Sequence, residues 1–362
     1  MTQDALVTVD ASALEHNVRT LRAHVGDARV MVVVKANAYG HGAVPSALAF
    51  ERAGVDMLGV ADLDEAVELR RGGVRLPVLA WLHAPGETFE RAAEHDVTPA
   101  VSDLAQLEAA ARAGVRAVHL CVDTGLSRNG AVEHEWPELF ARAAELQDHL
   151  PVEGLMSHLA NTSPEEDGRQ TATFRRAAGA AAAAGLAPRL LHLGASAGAL
   201  AHEGTRFDLV RLGLAAYGLS PWADRSAAEL GLRPAMTLTA PVTTVKRVPA
   251  GEGVSYGYVF RPERDTTIAV VPVGYADGVD RAASDRASVT IGGRRHRVRG
   301  RIAMNALVVD VGDDPVSVGD EVVLFGDPEH GHVGAEEWAA AAGGISYEVV
   351  ACLSPHLPRR HA

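Results

Sequence analysis

The chain has 362 residues, of which 47% are hydrophobic and 22% charged, enough apolar material for a large domain and a smaller one. The formal net charge of −12 argues against nucleic acid and anionic membranes as partners, because both select basic surfaces. The two cysteines, Cys121 and Cys352, lie in apolar runs and predict neither a disulfide framework nor a metal site.

The N-terminus carries no recognisable targeting signal. Residues 1–4 lack the basic, then apolar, then small-residue order of a signal peptide. No apolar run along the chain reaches the length that is needed to span a bilayer. We therefore expect a cytoplasmic protein. Residues 6–9 form a short candidate strand.

The first two-thirds of the chain alternates β-branched runs with Ala/Leu/Arg-rich helical runs, several of them ended by glycine as a C-cap requires. Eight near-continuous apolar runs are predicted as strands: 30–34, 57–60, 77–81, 98–101, 117–122, 152–157, 189–193 and 209–214. Repeated strand–helix units with such strands indicate a parallel sheet covered by helices. Eight of them favour a closed (β/α)8 barrel over an open sheet.

From about residue 234 the pattern changes to short strands separated by Gly, Asp and Pro turns, typical of a mainly β domain. The predicted strands are 236–245, 267–271, 288–291, 306–311 and 321–324. A helical pattern is nearly absent except around 334–342. We predict a barrel domain over 1–233 and a β domain over 234–362, with residues 1–10 as a candidate strand of the latter.

The strongest candidate for chemistry is Lys35, which directly follows an apolar strand. Barrels place catalytic groups at the C-terminal ends of their strands. Partial burial lowers the pKa of an amine, and a neutral amine can form an imine with an aldehyde cofactor. The alternative is a lysine that extends its amine to solvent from a strand end. The chain has only one other lysine, Lys246.

Four more polar side chains stand at or near the ends of later barrel strands: Arg128, His158, Ser196 and Arg211. Each alone equally fits a structural role. Together they would converge on one barrel mouth, where a serine hydroxyl beside glycine N–H groups forms a plausible phosphate cradle. Three loops of the β domain, at 251–258, 273–278 and 301–305, place tyrosine or methionine beside glycine or alanine, a pattern that equally fits simple packing.

The whole chain resembles the alanine racemase family in the content and order of its motifs. Residues 34–42, with the sequence VKANAYGHG, resemble the attachment motif for pyridoxal 5'-phosphate (PLP) of that family. The resemblance implies that Lys35 carries PLP as a Schiff base. It also implies the family's fold, a PLP-binding barrel followed by a β domain, and no metal.

The resemblance assigns further cofactor contacts. The groups that would hold the phosphate are Tyr39, Ser196, Tyr347 and the backbone of Gly213 and Leu214. Arg211 would contact the pyridine nitrogen with His158 behind it, and Arg128 would contact the ring hydroxyl and the substrate carboxylate.

The β domain would supply the remaining groups. Residues 254–257 match the family's second catalytic motif, which makes Tyr256 the base opposite Lys35. The backbone of Met304 would help to seat the carboxylate, and Tyr275 would line the access passage. Tyr256 would act in the barrel mouth of a second subunit, so the active species would be a homodimer that interconverts L- and D-alanine and supplies D-alanine for peptidoglycan.

The chain departs from the family at several positions. Cys121 stands where many members have a lysine on the fifth strand, so Arg128 must be oriented in another way. Asn305 replaces a common Asp, Leu212 a common Pro, residues 126–127 the usual Met-Gly, and His356 the usual Arg. None of these changes removes a predicted catalytic group.

Three alternatives share some of these features. Amino-acid decarboxylases of this architecture resemble one another in using a cysteine loop of the partner's β domain, whereas Cys352 reads as structural here and Tyr256 would have no role. A non-catalytic PLP carrier would lack the β domain. A racemase that prefers serine or a basic amino acid would share every motif.

Overall fold

A computed structural model describes residues 5–362 of the chain. The chain divides into two compact units. Of the described residues, the barrel unit contains 15–38 and 43–216, and the β unit contains 5–14, 39–42 and 217–362. The prediction about a targeting signal concerns residues 1–4, which lie outside the described residues. Within residues 5–362, no helix has both the length and the apolar character to cross a membrane.

The barrel unit contains an eight-stranded sheet whose neighbouring strands pair in parallel. After the N-terminal strand β1 (Leu6–Val9), its strands are β2 (Arg29–Val33), β3 (Met57–Val60), β4 (Val78–Ala80), β5 (Thr98–Val101), β6 (Val118–Cys121), β7 (Val152–Met156), β8 (Leu190–His192) and β9 (Leu209–Leu212). The order β8-β7-β6-β5-β4-β3-β2-β9 closes through a parallel bridge between Ala195 and Arg211. The predicted (β/α)8 barrel is confirmed.

A ring of side chains explains why the sheet closes. Each of the eight strands contributes one buried residue to a single cluster: Met31, Met57, Leu79, Ala100, Cys121, Met156, Leu190 and Leu209. Side chains from successive strands that meet at one level fill the interior of a barrel, so this is a packed core rather than a channel. Trp81 packs against the same cluster.

Helices connect the barrel strands: Ala11–Val25, Ala43–Arg52, Leu63–Arg71, Glu90–Glu94, Leu104–Ala113, Trp136–Leu146, Pro164–Ala183 and Ser196–Ala201. Several of these helices begin with a side-chain cap. Asp62 accepts the amide of Glu65 at 3.0 Å, and Asp103 accepts the amide of Gln106 at 2.8 Å, which satisfies N–H groups that have no partner within the helix.

The β unit is built around a nine-stranded sheet in the order β11-β12-β15-β14-β13-β16-β10-β1-β17. Its strands after β9 are β10 (Met236–Pro241), β11 (Thr244–Val248), β12 (Thr266–Val271), β13 (Ser288–Ile291), β14 (Arg294–Val298), β15 (Leu307–Gly312), β16 (Glu321–Phe325) and β17 (Arg359–His361). The candidate N-terminal strand is confirmed, since β1 pairs antiparallel with β10 and parallel with β17.

Three details of the β unit differ from the sequence prediction. The run 236–245 is two strands, β10 and β11, because the chain turns at residues 242–243. The strand β14 is arginine-rich and lacks an apolar pattern. A second helix, Ser346–Ala351, follows Ala335–Ala342, so the expectation of helix only around 334–342 was wrong; six residues are too few for a clear helical period.

Candidate active site

Lys35 directly follows β2 at its C-terminal end, and the amide of the preceding Val34 donates to the carbonyl of Gly59 at 2.8 Å. The lysine is half-buried. Burial, and to a smaller extent the nearby charge of Arg128, lowers the pKa of Lys35, while Glu65 acts in the opposite direction. The amine is therefore easier to deprotonate than an exposed lysine, as a nucleophilic or basic lysine requires.

Arg211 on β9 is buried with 4% of its surface exposed. Its Nη2 donates to the carbonyls of Ser157 at 2.6 Å and Leu193 at 2.9 Å, and lies 3.1 Å from Nδ1 of His158. Its Nη1 donates to the carbonyl of His192 at 2.9 Å. These hydrogen bonds fix the plane of the guanidinium. Burial lowers the pKa of Arg211 to about 10, so the guanidinium remains cationic at neutral pH.

Two buried histidines, His192 and His119, extend the hydrogen-bond network of Arg211. Nη1 of Arg211 lies 3.1 Å from Nδ1 of His192, and Nε2 of His192 lies 2.8 Å from Nδ1 of His119. A guanidinium can only donate, so Nδ1 of His192 must accept and its Nε2–H must donate to His119. The proton of neutral His119 then sits on Nε2, a buried atom without a hydrogen-bond partner among the described residues.

Ser196 begins the helix after β8 and is 3% exposed. Its hydroxyl oxygen accepts the amide of Gly213 at 3.0 Å. Gly213 follows β9, and Leu214 after it is fully buried. A hydroxyl and successive backbone N–H groups at this end of the barrel form the type of cradle that binds phosphate.

The loop that carries Arg128 is held by its neighbours. Asp123 accepts the amides of Gly125 at 2.9 Å and Ser127 at 3.1 Å. The side-chain oxygen of Asn129 accepts the hydroxyl of Ser102 at 3.0 Å. These contacts fix the backbone on both sides of the exposed Arg128.

Cys121 lies in the core ring of the barrel with 5% of its surface exposed. Burial raises the pKa of its thiol to about 11, so the group is neutral at physiological pH. It cannot supply a charge to Arg128. Cys352, in contrast, is exposed, which does not fit the structural role expected for it from its apolar run.

Tyr256 projects from a loop of the β unit and is 71% exposed. The loop is closed by a bridge between Val254 and Phe260. The hydroxyl of Ser255 donates to the carbonyl of Arg301 at 2.6 Å, and Ser255 adopts a φ of 58°. The phenol is therefore presented to solvent on a tethered loop.

Tyr275 and Met304 lie on two segments that pair with each other. The amide of Tyr275 donates to the carbonyl of Ala303 at 3.1 Å, and that of Ala276 donates to the carbonyl of Met304 at 2.9 Å. Gly274 permits this approach, because a Cβ there would lie 2.2 Å from the Ala303 oxygen. The side chains of Tyr275 and Met304 are exposed, at 42% and 55%. Residues 300–304 thus contact both this segment and the Tyr256 loop.

Tyr39 and Tyr347 lie close together within the β unit, with ring centroids 6.1 Å apart. Tyr217 packs against Tyr39 at 5.1 Å. Burial raises the pKa of the Tyr347 phenol, so its hydroxyl is suited to donate rather than to carry charge. Two of the residues that the resemblance assigns to the phosphate are therefore neighbours.

Sequence reasoning missed three residues of the barrel unit: Glu65, His119 and His192. His119 was hidden inside an apolar strand, and His192 ends β8 without any motif of its own. Glu65 looked like an ordinary acidic residue in the first turn of a helix. A strand-end position was the only available signal, and it applied to His192 alone.

The donor set fits PLP. An amine whose pKa is lowered by burial suits an aldehyde, and the Ser196 cradle suits a phosphate. Nε of Arg211 donates no hydrogen bond within residues 5–362, which leaves a fixed donor for an aromatic nitrogen acceptor. A barrel with these groups at the C-terminal end of its strands, joined to a β domain, defines a (β/α)8-barrel enzyme of the PLP-binding type.

Comparison with known proteins narrows this class to one family. The model of the alanine racemase N-terminal domain matches residues 9–221, and that of the alanine racemase C-terminal domain matches residues 235–361. The chain belongs to the alanine racemase family, whose members are PLP-dependent racemases.

Relatives match along the full chain. An alanine racemase of Frankia casuarinae is 46% identical over 98% of this chain and 95% of its own length, and one of Mycolicibacterium smegmatis is 46% identical over 96% and 92%. The crystal structure of the alanine racemase of Streptomyces lavendulae superposes with a TM-score of 0.95 at 43% identity, covering 99% of this chain and 97% of that one.

Proposed function

We propose that this chain interconverts L- and D-alanine by moving the α-proton between Lys35 and a tyrosine on opposite faces of the substrate. The observation that carries the proposal is the position of Lys35: a half-buried amine after β2, with its pKa lowered by burial and Arg128. The full-length match to alanine racemases supports the choice of substrate.

PLP would be attached to Lys35, with its phosphate on Ser196 and the amides of Gly213 and Leu214. When bound, it supplies an electron sink that acidifies the α-proton of an amino acid. Arg211 would face the ring nitrogen, and His158 would support Arg211 from behind. The assignment of the Tyr39 and Tyr347 hydroxyls to the phosphate stays a prediction.

Arg211 would also restrict the reaction. Arginine stays protonated and has no lone pair to offer, so it would donate to the ring nitrogen of the cofactor and would leave that nitrogen unprotonated. A weaker electron sink favours return of the proton to the α-carbon over transamination. The fixed contacts of Arg211 with the Ser157 and Leu193 carbonyls would keep this restriction constant through the cycle.

Lys35 would serve one face of the α-carbon. Its Nζ, unprotonated at the start, accepts the proton of the D-enantiomer; in the reverse direction the ammonium returns it. A positioned proton-transfer group of this kind contributes roughly 10²- to 10⁴-fold to the rate. Arg128, on its tethered loop, would orient the substrate carboxylate, with help from the backbone of Met304.

Tyr256 would serve the opposite face, in the barrel mouth of a second copy of the chain. Its hydroxyl donates a proton when D-alanine reacts, and its phenolate accepts one when L-alanine reacts. The support is its 71% exposure on a tethered loop, since a group kept in solvent has room to act on a partner. The active species would be a homodimer with shared sites, and Tyr275 would line the passage to each site.

The test is a chirality assay of the purified protein against a panel of amino acids, with Tyr258→Phe as the matched control for Tyr256→Phe. Tyr258 is 59% exposed on the same loop but has no proposed role. We expect racemisation of alanine, a loss of at least about 100-fold in Tyr256→Phe, and near-normal turnover in Tyr258→Phe.

Other outcomes would overturn this assignment. Equal loss in both tyrosine variants would remove Tyr256 from the reaction. Release of carbon dioxide without racemisation would indicate a decarboxylase, and preference for serine or a basic amino acid would change the substrate. The cytoplasmic location and the supply of D-alanine to peptidoglycan stay predictions.

A further inference from the structure

The chain leaves Lys35 through a left-handed turn that contains no glycine. Ala36, Asn37 and Ala38 have φ and ψ values close to +54° and +50°, and Tyr39 has a φ of 52°. Each non-glycine residue in this conformation costs roughly 1–2 kcal/mol. Four in succession are a strained segment, and such strain persists only where the surroundings hold it.

The carboxylate of Glu65 holds the start of this turn. One of its oxygens accepts the amide of Ala36, the residue after Lys35, at 2.6 Å. The other accepts the amide of Ala61, just beyond β3, at 2.7 Å. Glu65 is itself fixed, because its own amide donates to Asp62, the cap of its helix, at 3.0 Å. The carboxylate therefore ties the end of β2 to the end of β3.

Two neutral contacts help to hold the rest of the turn. The side-chain oxygen of Asn37 accepts the amide of Ala43 at 2.8 Å, and the amide of Ala38 donates to the carbonyl of Val34 at 2.9 Å. Hydrogen bonds to an ionised acceptor are about twice as strong as neutral ones. The hydrogen bond from the Ala36 amide to Glu65, at 2.6 Å, is also shorter than these two contacts.

We propose that Glu65 is a positioning residue for Lys35: its carboxylate holds the strained backbone after the lysine and opposes the charge of Arg128 at the amine. This inference rests on the proposed role of Lys35. We call the two hydrogen bonds of Glu65 to the Ala36 and Ala61 amides the Glu65 clamp. Without this clamp, the backbone position of Lys35 would no longer be fixed. A displacement of about 1 Å in a catalytic group can cost 100-fold in rate.

The electrostatics agree with the geometry. Burial and Arg128 lower the pKa of Lys35, and Glu65 raises it. Burial raises the pKa of Glu65, as does Asp62, whereas its two backbone hydrogen bonds and Lys35 lower it. His158 also lies near the lysine, and burial with the cations Arg211 and Arg128 lowers its pKa to about 3. Glu65 is thus the group that opposes burial and Arg128 at the Lys35 amine.

The experiment uses the fact that the chain has two lysines, Lys35 and the exposed Lys246. The full-length chain, freed of bound cofactor, is labelled with a trace of acetic anhydride from pH 6 to 11, and both lysines are quantified by peptide mass spectrometry. The variant is Glu65→Gln, which removes the charge. The control is Glu68→Gln, an equal charge change at an exposed position of the same helix.

We expect Glu65→Gln to shift the labelling midpoint of Lys35 to lower pH, to increase its labelling at pH 7 severalfold, and to leave Lys246 unchanged. Glu68→Gln should leave both lysines as in the wild type. A purely structural glutamate would not move this midpoint. If Lys35 has the same midpoint in both variants, the proposed charge balance is wrong.

A second variant tests the clamp and keeps the proposal testable if Glu65→Gln folds poorly. Glycine adopts positive φ without the steric cost, so Ala36→Gly in the Glu65→Gln background should recover much of the lost thermal stability while the Lys35 midpoint stays low. A double variant no more stable than Glu65→Gln would overturn the clamp. If the midpoint shifts as expected but no amino acid is racemised, only the proposed function fails.

Discussion

Lowering the pH from 7 to 5 is expected to destabilise the chain through two histidines inside the barrel. His119 and His192 are both fully buried. Nδ1 of His192 accepts from Arg211, and its Nε2–H donates to Nδ1 of His119. Neither ring can take up a proton without breaking one of these hydrogen bonds. The folded chain therefore keeps both rings neutral, whereas the unfolded chain protonates them.

The pKa values of the two histidines give the sign and the size of the change in the free energy of unfolding. Burial, with the charge of Arg211, lowers the pKa of His119 from 6.5 to about 3 and that of His192 well below its ordinary value. Between about pH 6.5 and pH 3 the unfolded chain binds more protons, so the stability present above 6.5 is lost as the pH falls. Each ring costs about 1.36 kcal/mol per pH unit, or about 4 kcal/mol for the pair at pH 5, a large part of a typical 5–15 kcal/mol.

The assay is the free energy of unfolding from urea titrations at pH 7, 6 and 5, on the wild type and His119→Gln. The glutamine cannot titrate but offers an acceptor to His192, so this variant should lose about half of the pH dependence that the pair contributes. The exposed His134 supplies the control, and His134→Gln should keep the full slope. A His119→Gln slope equal to the wild-type slope would refute the reasoning.

Three further substitutions test the loop and cradle. Ser127→Gly should raise the free energy of unfolding by about 0.5–1 kcal/mol, because Ser127 has a φ of 57°; an unchanged urea midpoint would contradict this. Gly130→Ala should lower it by about 2 kcal/mol or more and raise KM, since its Cβ would lie 2.5 Å from the Val122 carbonyl carbon. Ser196→Ala leaves the Gly213 amide without its acceptor and should weaken PLP affinity about tenfold by equilibrium dialysis; unchanged affinity would remove Ser196 from the cradle.

The barrel could be predicted from the sequence because its strands are buried on both faces. Continuous apolar runs located all eight strands, two of them (57–60 and 98–101) with the observed bounds. The strand β14 could not be found in the same way. Its sequence, RRHRV, alternates arginines with the buried His296 and Val298, and only pairing with its neighbours makes it a strand.

The candidate site was predictable where a residue stands at a strand end. Lys35, His158 and Arg211 followed that rule, and the structure brings Arg211 and His158 together at 3.1 Å. The rule fails for groups that act through the backbone or through another side chain. Glu65 reaches two amides that lie 25 residues apart in the chain, and no local pattern encodes that approach.

Every proposed step requires that PLP is attached to Lys35. Because the chain has only two lysines, the site of attachment can be measured directly. The purified protein is reduced with borohydride, digested, and mapped by mass spectrometry. We predict the pyridoxyl modification on Lys35 and none on Lys246. A modification on Lys246, or an unmodified Lys35 in protein that racemises alanine, would contradict the account.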